Sequence, residues 1–260
     1  MKSKIISSYH NHNYLCGHAI GEVKDYCLRA LELGYEEIGI SDHGPLPFEF
    51  AGARMNYERF LDLYLPQFEE ARKLVKDQIS IKVGLELEYI EGYDDYYKAL
   101  LQEVDYFILG EHVFLYQNTL VNPYVDQMDD FMVKVYVDNC IKALETGLFK
   151  IIAHPDIVFY NVYEISEESL EEIERLIIKA KELDVYVEYN ANGYRNSSLP
   201  GTNLKRYPRK EVLALMIKHQ VKVIVGEDAH NFDCLSDECS LQSYEILENE
   251  KANLVYKLDF

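Results

Sequence analysis

Three of the chain's eight histidines lie within nine positions near its start, in the stretch SYHNHNYLCGHAIGEV at residues 8–23. They are His10, His12 and His18. His10 and His12 form an H-x-H pair, whose two side chains point to the same face if the segment is a β-strand. Imidazoles that share a face can bind Zn, Mn or Fe. One H-x-H pair is a weak signal, so its meaning depends on what the rest of the chain contributes.

Further polar side chains follow short apolar segments along the chain. There are seven such segments: KIISSY (4–9), EIGIS (37–41), ISIKVGLE (79–86), YFILG (106–110), FKIIA (149–153), VYVEYN (185–190) and KVIVG (222–226). Seven of the eight histidines lie close to the end of a segment or in the loop after it. The later segments, from the second to the seventh, end in or are followed by these polar residues: Asp42, His43, Glu86, Glu111, His112, His154, Asp156, Asn190, Arg195, Asp228 and His230.

Stretches of helical period separate these segments, at residues 23–34, 56–75, 127–147, 166–183 and 209–220. Strands that alternate with helices indicate a parallel sheet with crossover helices. The carboxyl ends of parallel strands form one rim, where active sites are built. An open sheet and a closed barrel share this pattern. Because every strand contributes polar groups to the rim, we expect a single-domain α/β barrel of seven strands.

The candidate ligands are too numerous for one ion. Asp228 and His230 repeat the alternating spacing of the H-x-H pair at the last segment. The whole set therefore predicts a multinuclear metal site, with neighbouring ions about 3.5–4 Å apart as in two-metal enzymes.

The net charge of −19 and the pI of about 4.8 argue against nucleic-acid binding, which relies on basic patches. The nearest basic stretch is residues 203–210. A small phosphorylated substrate held by metal ions remains compatible with this charge. The five cysteines match no disulfide framework. No signal peptide or membrane-spanning run is evident, so a cytoplasmic location is expected. The oligomeric state stays open.

The motif set resembles the polymerase and histidinol phosphatase (PHP) superfamily. The shared features are a leading H-x-H, a strand-2 Asp-His, a Glu in G-x-E, two single histidines and a closing D-x-H. Finer marks resemble the histidinol-phosphatase branch: CGHA (16–19), SDHGPLP (41–47), RM (54–55), GLELEY (84–89), and NANGYR (190–195) followed by Tyr207-Pro208. The resemblance spans residues 9–230, and residues 1–260 are expected to form one domain of this type.

The resemblance implies a distorted (β/α)7 barrel with three divalent metal ions, of Zn, Mn or Fe. The implied ligands are His10, His12, Glu86 and Asp228 for the first metal, Glu86, His112 and His154 for the second, and His18, His43 and His230 for the third. A hydroxide between the first two ions would be the nucleophile. Glu86, Asp228 and His230 are the expected catalytic residues. Arg195, His18 and His43 are expected to bind the substrate, Arg195 through its phosphate.

The expected activity is that of a metal-dependent phosphomonoesterase, a histidinol-phosphatase in histidine biosynthesis. The alternatives are a phosphatase for another small ester or for phosphotyrosine, a phosphodiesterase or 3′-exonuclease, and a non-catalytic scaffold. The sequence departs from the branch at HPDIVFYN (154–161), which lacks a basic residue that often follows HPD, and at Glu111, which stands beside a predicted ligand. The role of the loop at residues 45–60, a substrate lid or a surface loop, stays open.

Overall fold

The computed structural model describes residues 5–50, 52–197 and 207–260. Lys4 of the first predicted strand, Ala51 of the 45–60 loop and residues 203–206 of the basic stretch lie outside the described residues. The strands are β1 Ser7–Ser8, β2 Glu37–Ile40, β3 Ser80–Leu87, β4 Tyr106–Leu109, β5 Phe114–Tyr116, β6 Thr119–Val121, β7 Phe149–Ile152, β8 Tyr186–Asn190, β9 Val223–Gly226 and β10 Leu254–Val255. The α-helices are α1 Val23–Leu33, α2 Tyr57–Arg59, α3 Leu65–Val75, α4 Asp94–Leu100, α5 Asp130–Glu145, α6 Glu167–Glu182, α7 Ala191–Ser197, α8 Lys210–His219 and α9 Glu238–Asn249.

Eight strands form one parallel sheet in the order β1-β2-β3-β4-β7-β8-β9-β10. All seven predicted strands are present. The eighth, β10, is only two residues long and carries no recognisable apolar run. The antiparallel hairpin of β5 and β6 was also not predicted.

The sheet curls so that the segments after β1 and β9 meet on the carboxyl side. Asn11, just after β1, forms a parallel bridge with Ala229, just after β9. The His12 N–H donates to the Ala229 carbonyl at 2.9 Å. On the amino side, β10 pairs in parallel with the first two residues of β9. The expected single-domain, barrel-like α/β fold is confirmed. Its sheet has eight strands rather than the seven expected, and β10 is the additional one.

The five predicted helical stretches are also present, and one of them is interrupted. Residues 56–75 form α2, a π-helical turn at Phe60–Tyr64, and α3. Pro66 lies in the first turn of α3. Because proline has no N–H to donate, it disfavours a continuous α-helical ladder here. The helices α4, α7 and α9 were not predicted.

The inward face of the barrel is filled by alternate strand residues. Tyr9, Tyr106, Ile108, Ile151, Tyr186 and Ile224 form a buried cluster there. Tyr106 fits because Gly39 and Gly84 lack side chains, since a Cβ at either position would lie less than 3 Å from its ring or hydroxyl. This packing forms a solid floor beneath the carboxyl rim. In the described residues, no helix is long and apolar enough to cross a membrane; the cytoplasmic location stays a prediction.

Candidate metal centre

The structure brings all nine predicted metal ligands together at the carboxyl rim. His10 and His12 follow β1, His43 follows β2, and Glu86 lies in β3. The others come from the loops after β1, β4, β7 and β9: His18, His112, His154, Asp228 and His230. Most of these side chains are buried, whereas His18 is exposed and His112 and His230 are partly exposed. The barrel fold thus brings residues more than 200 positions apart in the sequence into one cluster.

Glu86 lies at the middle of this cluster. Its Oε2 is 3.3 Å from His10 Nε2 and 3.4 Å from His12 Nε2. The same oxygen is 3.1 Å from His43 Nδ1. On the other side, Oε1 is 3.4 Å from His112 Nε2 and 3.0 Å from His154 Nε2. A carboxylate with imidazoles against both oxygens is placed to bridge two cations.

The donor atoms fall into groups whose members lie within 4.8 Å of one another. One group is His18, His43 and His230, the set expected for the third metal. Another is His10, His12 and Glu86, with Asp228 Oδ1 3.2 Å from His12 Nε2. The remaining groups are His43, Glu86 and His112; His10, His154 and Asp228; and His12, Cys16 and His230. His43 therefore lies between two groups, whereas the expectation placed it in one.

The donor set fits divalent cations. Glu86 Oε2 and Asp228 Oδ1 are buried, and within the described ranges neither makes a hydrogen bond of good geometry, although imidazole nitrogens lie 3.1 and 3.2 Å away. His10 Nε2 and His12 Nε2 face each other at 3.1 Å. Buried polar atoms normally have partners, so carboxylate oxygens and imidazole nitrogens that converge without satisfying one another indicate a site for cations. Imidazole and carboxylate donors suit Zn, Mn or Fe.

The local electrostatics favour the ligand forms of Glu86, Asp228 and His230. Burial would lower the pKa of His10 and His12, but the neighbouring carboxylates raise both, that of His12 to about 9, so a cation would displace a proton from these two rings. Burial alone would raise the pKa of Glu86, but the imidazoles of His10, His112 and His43 hold it well below its usual range. The pKa of Asp228 is likewise held low against burial by His10 and its neighbours. Burial, reinforced by His12, lowers the pKa of His230 to about 3. The carboxylates are thus ionised, and His230 is neutral.

Two candidate ligands have left-handed backbone conformations. His154 has a φ of 29° and Asp228 a φ of 44°. Such conformations cost about 1–3 kcal/mol for residues other than glycine, and they persist where the surrounding structure holds them. Their coincidence with the cluster is typical of a functional site.

Three further carboxylates contact the outer nitrogens of the histidines. Glu188 Oε1 is 2.6 Å from His10 Nδ1, and Asp42 Oδ1 is 3.2 Å from His12 Nδ1. Glu88 Oε1 is 3.2 Å from His112 Nδ1. Such contacts fix the ring and its tautomer, so that the other nitrogen can face a metal.

Sequence reasoning noted Asp42 but missed Glu88 and Glu188. The available signal was an acidic residue in an apolar strand segment or just after it, two positions from a predicted site residue. Glu88 lies two residues after Glu86, and Glu188 lies two residues before Asn190.

The structure places Arg195 beside the cluster rather than in it. Its Nε donates to Asp237 at 2.7 Å, and its Nη1 donates to Asn192 at 3.1 Å. Asn192 in turn donates to Asp228 Oδ2 at 3.3 Å. One terminal nitrogen, Nη2, is buried with no hydrogen-bond partner in the described structure. Its phosphate-binding role stays a prediction.

Glu111 and Cys16, which flank predicted ligands, are held by other contacts. Glu111 is buried and accepts from Asn139 at 2.5 Å and from the Tyr89 N–H at 3.1 Å. Burial raises its pKa to about 8. The Cys16 thiol donates to the Asn13 carbonyl at 3.2 Å, and burial raises its pKa to about 12.

A cavity of about 720 Å³ opens directly over the cluster. On one side Tyr124 stacks on His112, and Tyr207 meets His154 edge-on. The hydroxyls of Tyr124 and Tyr207 are 3.1 Å apart, and Tyr160 packs edge-on against Tyr124. Residues of the 45–60 loop, including Phe50 and Arg54, line another part of the cavity. Described residues of this loop therefore form part of the cavity wall.

Comparison with known proteins identifies the family. Residues 8–192 match the family described as PHP domain. The match covers more than half of the chain, so the chain belongs to the PHP domain family, and the resemblance inferred from its motifs is confirmed. A Deinococcus radiodurans protein named "Probable histidinol-phosphatase" is 23% identical over 228 residues, which cover 85% of each protein. The expected enzyme class, phosphoric monoester hydrolase, agrees with that name.

Two solved structures share the fold. Histidinol phosphate phosphatase from Lactococcus lactis, complexed with zinc, L-histidinol and phosphate, has a TM-score of 0.70 at 17% identity, over 99% of this chain and 100% of that one. A structure from Listeria monocytogenes has a TM-score of 0.74 at 20% identity, over 90% of this chain and 98% of that one. At these identities the likeness concerns the fold.

Proposed function

We propose that this chain is a metal-dependent phosphomonoesterase that hydrolyses L-histidinol phosphate to L-histidinol and phosphate, and that residues 1–260 form one phosphatase domain. The observation that carries the proposal is the convergence of nine donor residues, with Glu86 in the middle, directly below an open cavity. The names of relatives that match most of the chain support the same activity.

Three divalent cations would occupy the cluster, held by the ligand sets implied by the motifs. Bound there, they would lower the pKa of water and neutralise charge on the phosphate oxygens. Glu86 presents one oxygen to each side of the cluster. The Asn190 and Asn192 amides hold Asp228 Oδ2, which leaves Oδ1 facing the histidines. Zinc is the metal in the Lactococcus lactis structure; the native metal here is left to measurement.

The remaining residues would position the substrate. His230 Nε2 and His18 Nε2 lie 2.9 Å apart at the exposed edge of the cluster. With His43 they border the cavity, where a phosphate can approach. Arg195 would meet the phosphate through Nη2, since Nε and Nη1 donate to Asp237 and Asn192.

The cavity suits a planar, cationic leaving group. Away from the cluster it is lined by tyrosine and asparagine side chains: Asn122, Tyr124, Tyr160, Asn192, Asn196 and Tyr207. Among its described lining residues the only lysine or arginine is Arg54, which is paired with Glu88. Aromatic faces attract cations, and the chain carries a net charge of −19. The ammonium and imidazole of histidinol phosphate match this lining.

A phosphate-release assay on the metal-loaded protein tests the proposal. We expect a kcat/KM for histidinol phosphate well above that for p-nitrophenyl phosphate, because the generic aryl ester lacks the ammonium and imidazole. Equal or slower turnover of histidinol phosphate would refute the substrate assignment. No phosphate release from any monoester would refute the phosphatase itself.

A further inference from the structure

The three carboxylates behind the histidines are held in two different ways. Asp42 accepts backbone N–H groups of Asn13, Cys16 and His43 at 3.3, 3.2 and 2.8 Å. These donors belong to the rim itself. A carboxylate held by rim backbone is fixed as soon as the barrel forms.

Glu188 is held in the same manner. Its Oε2 accepts the His154 N–H and the Asn190 amide, each at 2.9 Å. Both donors again come from the rim. In the described part of the chain, the hydrogen bonds of the Asp42 and Glu188 carboxylates involve no residue of the 45–60 loop.

Glu88 differs, because its main partner comes from that loop. Arg54 Nη1 and Nη2 donate to the two Glu88 oxygens, each at 2.6 Å. The pair is buried, with side-chain exposures of 8% for Arg54 and 1% for Glu88. The bidentate geometry is the most directional form of this ion pair. Arg54 also lies against the Phe50 ring at 5.0 Å.

Glu88 passes this constraint to the metal centre. Its Oε1 is 3.2 Å from His112 Nδ1, while His112 Nε2 is 3.4 Å from Glu86 Oε1. A buried carboxylate without its counter-charge is costly and tends to move toward another partner. Loss of Arg54 would therefore free the His112 ring to rotate away from the cluster. Each terminal nitrogen of Arg54 commits a hydrogen bond to Glu88, so the charge of Arg54 is already paired.

We propose that Arg54 is a positioning residue which, through Glu88, aims His112 at one metal, so that the 45–60 loop controls occupancy at that position. The inference rests on the proposed metal-dependent function, and it concerns metal affinity rather than substrate choice. Removal of a group that orients a metal ligand typically weakens binding of the metal 10- to 100-fold.

The test is a zinc titration against a competing chelator, without substrate, on wild type, Arg54→Met and Glu88→Gln. We expect one ion to bind 10- to 100-fold more weakly in both variants, and the other ions to be unchanged. The double variant should bind this ion no more than about twofold more weakly than the poorer single variant, because both changes break the same chain of contacts from Arg54 through Glu88 to His112. Arg59→Met, in α2 at the end of the same 45–60 segment but outside the ion pair with Glu88, is the matched control and should bind zinc as wild type does.

Two outcomes would overturn the proposal. Unchanged zinc affinity with a lower melting temperature would make Arg54 a purely structural residue. Unchanged zinc affinity with weaker binding of inorganic phosphate would make it a phosphate ligand. Glu88→Gln keeps the test decisive if Arg54→Met does not fold. If wild type binds zinc but does not hydrolyse histidinol phosphate, the proposed function fails while this proposal is still tested.

Discussion

Glu188 offers a sharp test of how the metal centre is held. Its two oxygens take three buried contacts, from His10 Nδ1 at 2.6 Å, the His154 N–H at 2.9 Å and the Asn190 amide at 2.9 Å. In Glu188→Gln the one amide oxygen can keep the His154 N–H and the Asn190 amide, and the NH₂ then faces His10 Nδ1. One buried donor is left without an acceptor there unless the His10 ring takes the Nε2–H tautomer, which turns its proton toward the metal side.

The magnitude follows from that count. An unsatisfied buried donor costs about 1–3 kcal/mol, and a chain of this size loses roughly 2–4 °C of melting temperature per kcal/mol. We therefore expect the metal-free variant to melt about 2–12 °C below wild type. Because His10 loses its orienting carboxylate, we also expect metal affinity to fall 10- to 100-fold.

Thermal unfolding in EDTA and zinc titration measure these two effects separately. Glu245→Gln, an exposed position on α9, is the matched control and should change neither. Wild-type melting and wild-type zinc affinity in Glu188→Gln would refute the reasoning that this carboxylate orients His10.

Three further predictions concern the substrate and the metals. Arg195→Ala should raise KM for histidinol phosphate with metal content intact. Loss of metal would instead mean that Arg195 supports the metal ligand Asp228 through Asn192. Tyr160→Leu should raise KM about 2- to 10-fold, since an aromatic contact contributes about 0.5–1.5 kcal/mol, and unchanged steady-state kinetics would remove this ring from the substrate site. Chelation should lower the melting temperature of wild type by about 5–11 °C for each bound ion, if the free metal concentration was 100 times the Kd of that ion. Binding at this concentration stabilises the fold by about 2.7 kcal/mol. A melting curve that EDTA leaves unchanged would contradict a cluster that holds the rim together.

The strands and the ligands could be predicted because both leave a strong local signal. Each long parallel strand is buried on both faces and so forms an apolar run. Histidines at the ends of such runs are then placed on one rim by the topology alone. The strand β10 and the hairpin β5–β6 are too short for this signal, since their pairing depends on neighbours that are distant in sequence.

The orienting contacts could not be predicted for a different reason. Glu88 and Arg54 are 34 positions apart, and His10 and Glu188 are 178 apart. A single sequence carries no signal for which carboxylate will meet which imidazole. Arg195 shows the same limit, because its partner Asp237 lies at the start of α9, a helix that the sequence pattern did not predict.

The most direct test of the account is the number and position of metal ions in a crystal grown with saturating zinc, located by anomalous scattering. The account predicts three ions per chain, with Glu86 between two of them and the third at His18, His43 and His230. Two ions or fewer at full occupancy, or ions bound away from these residues, would contradict it.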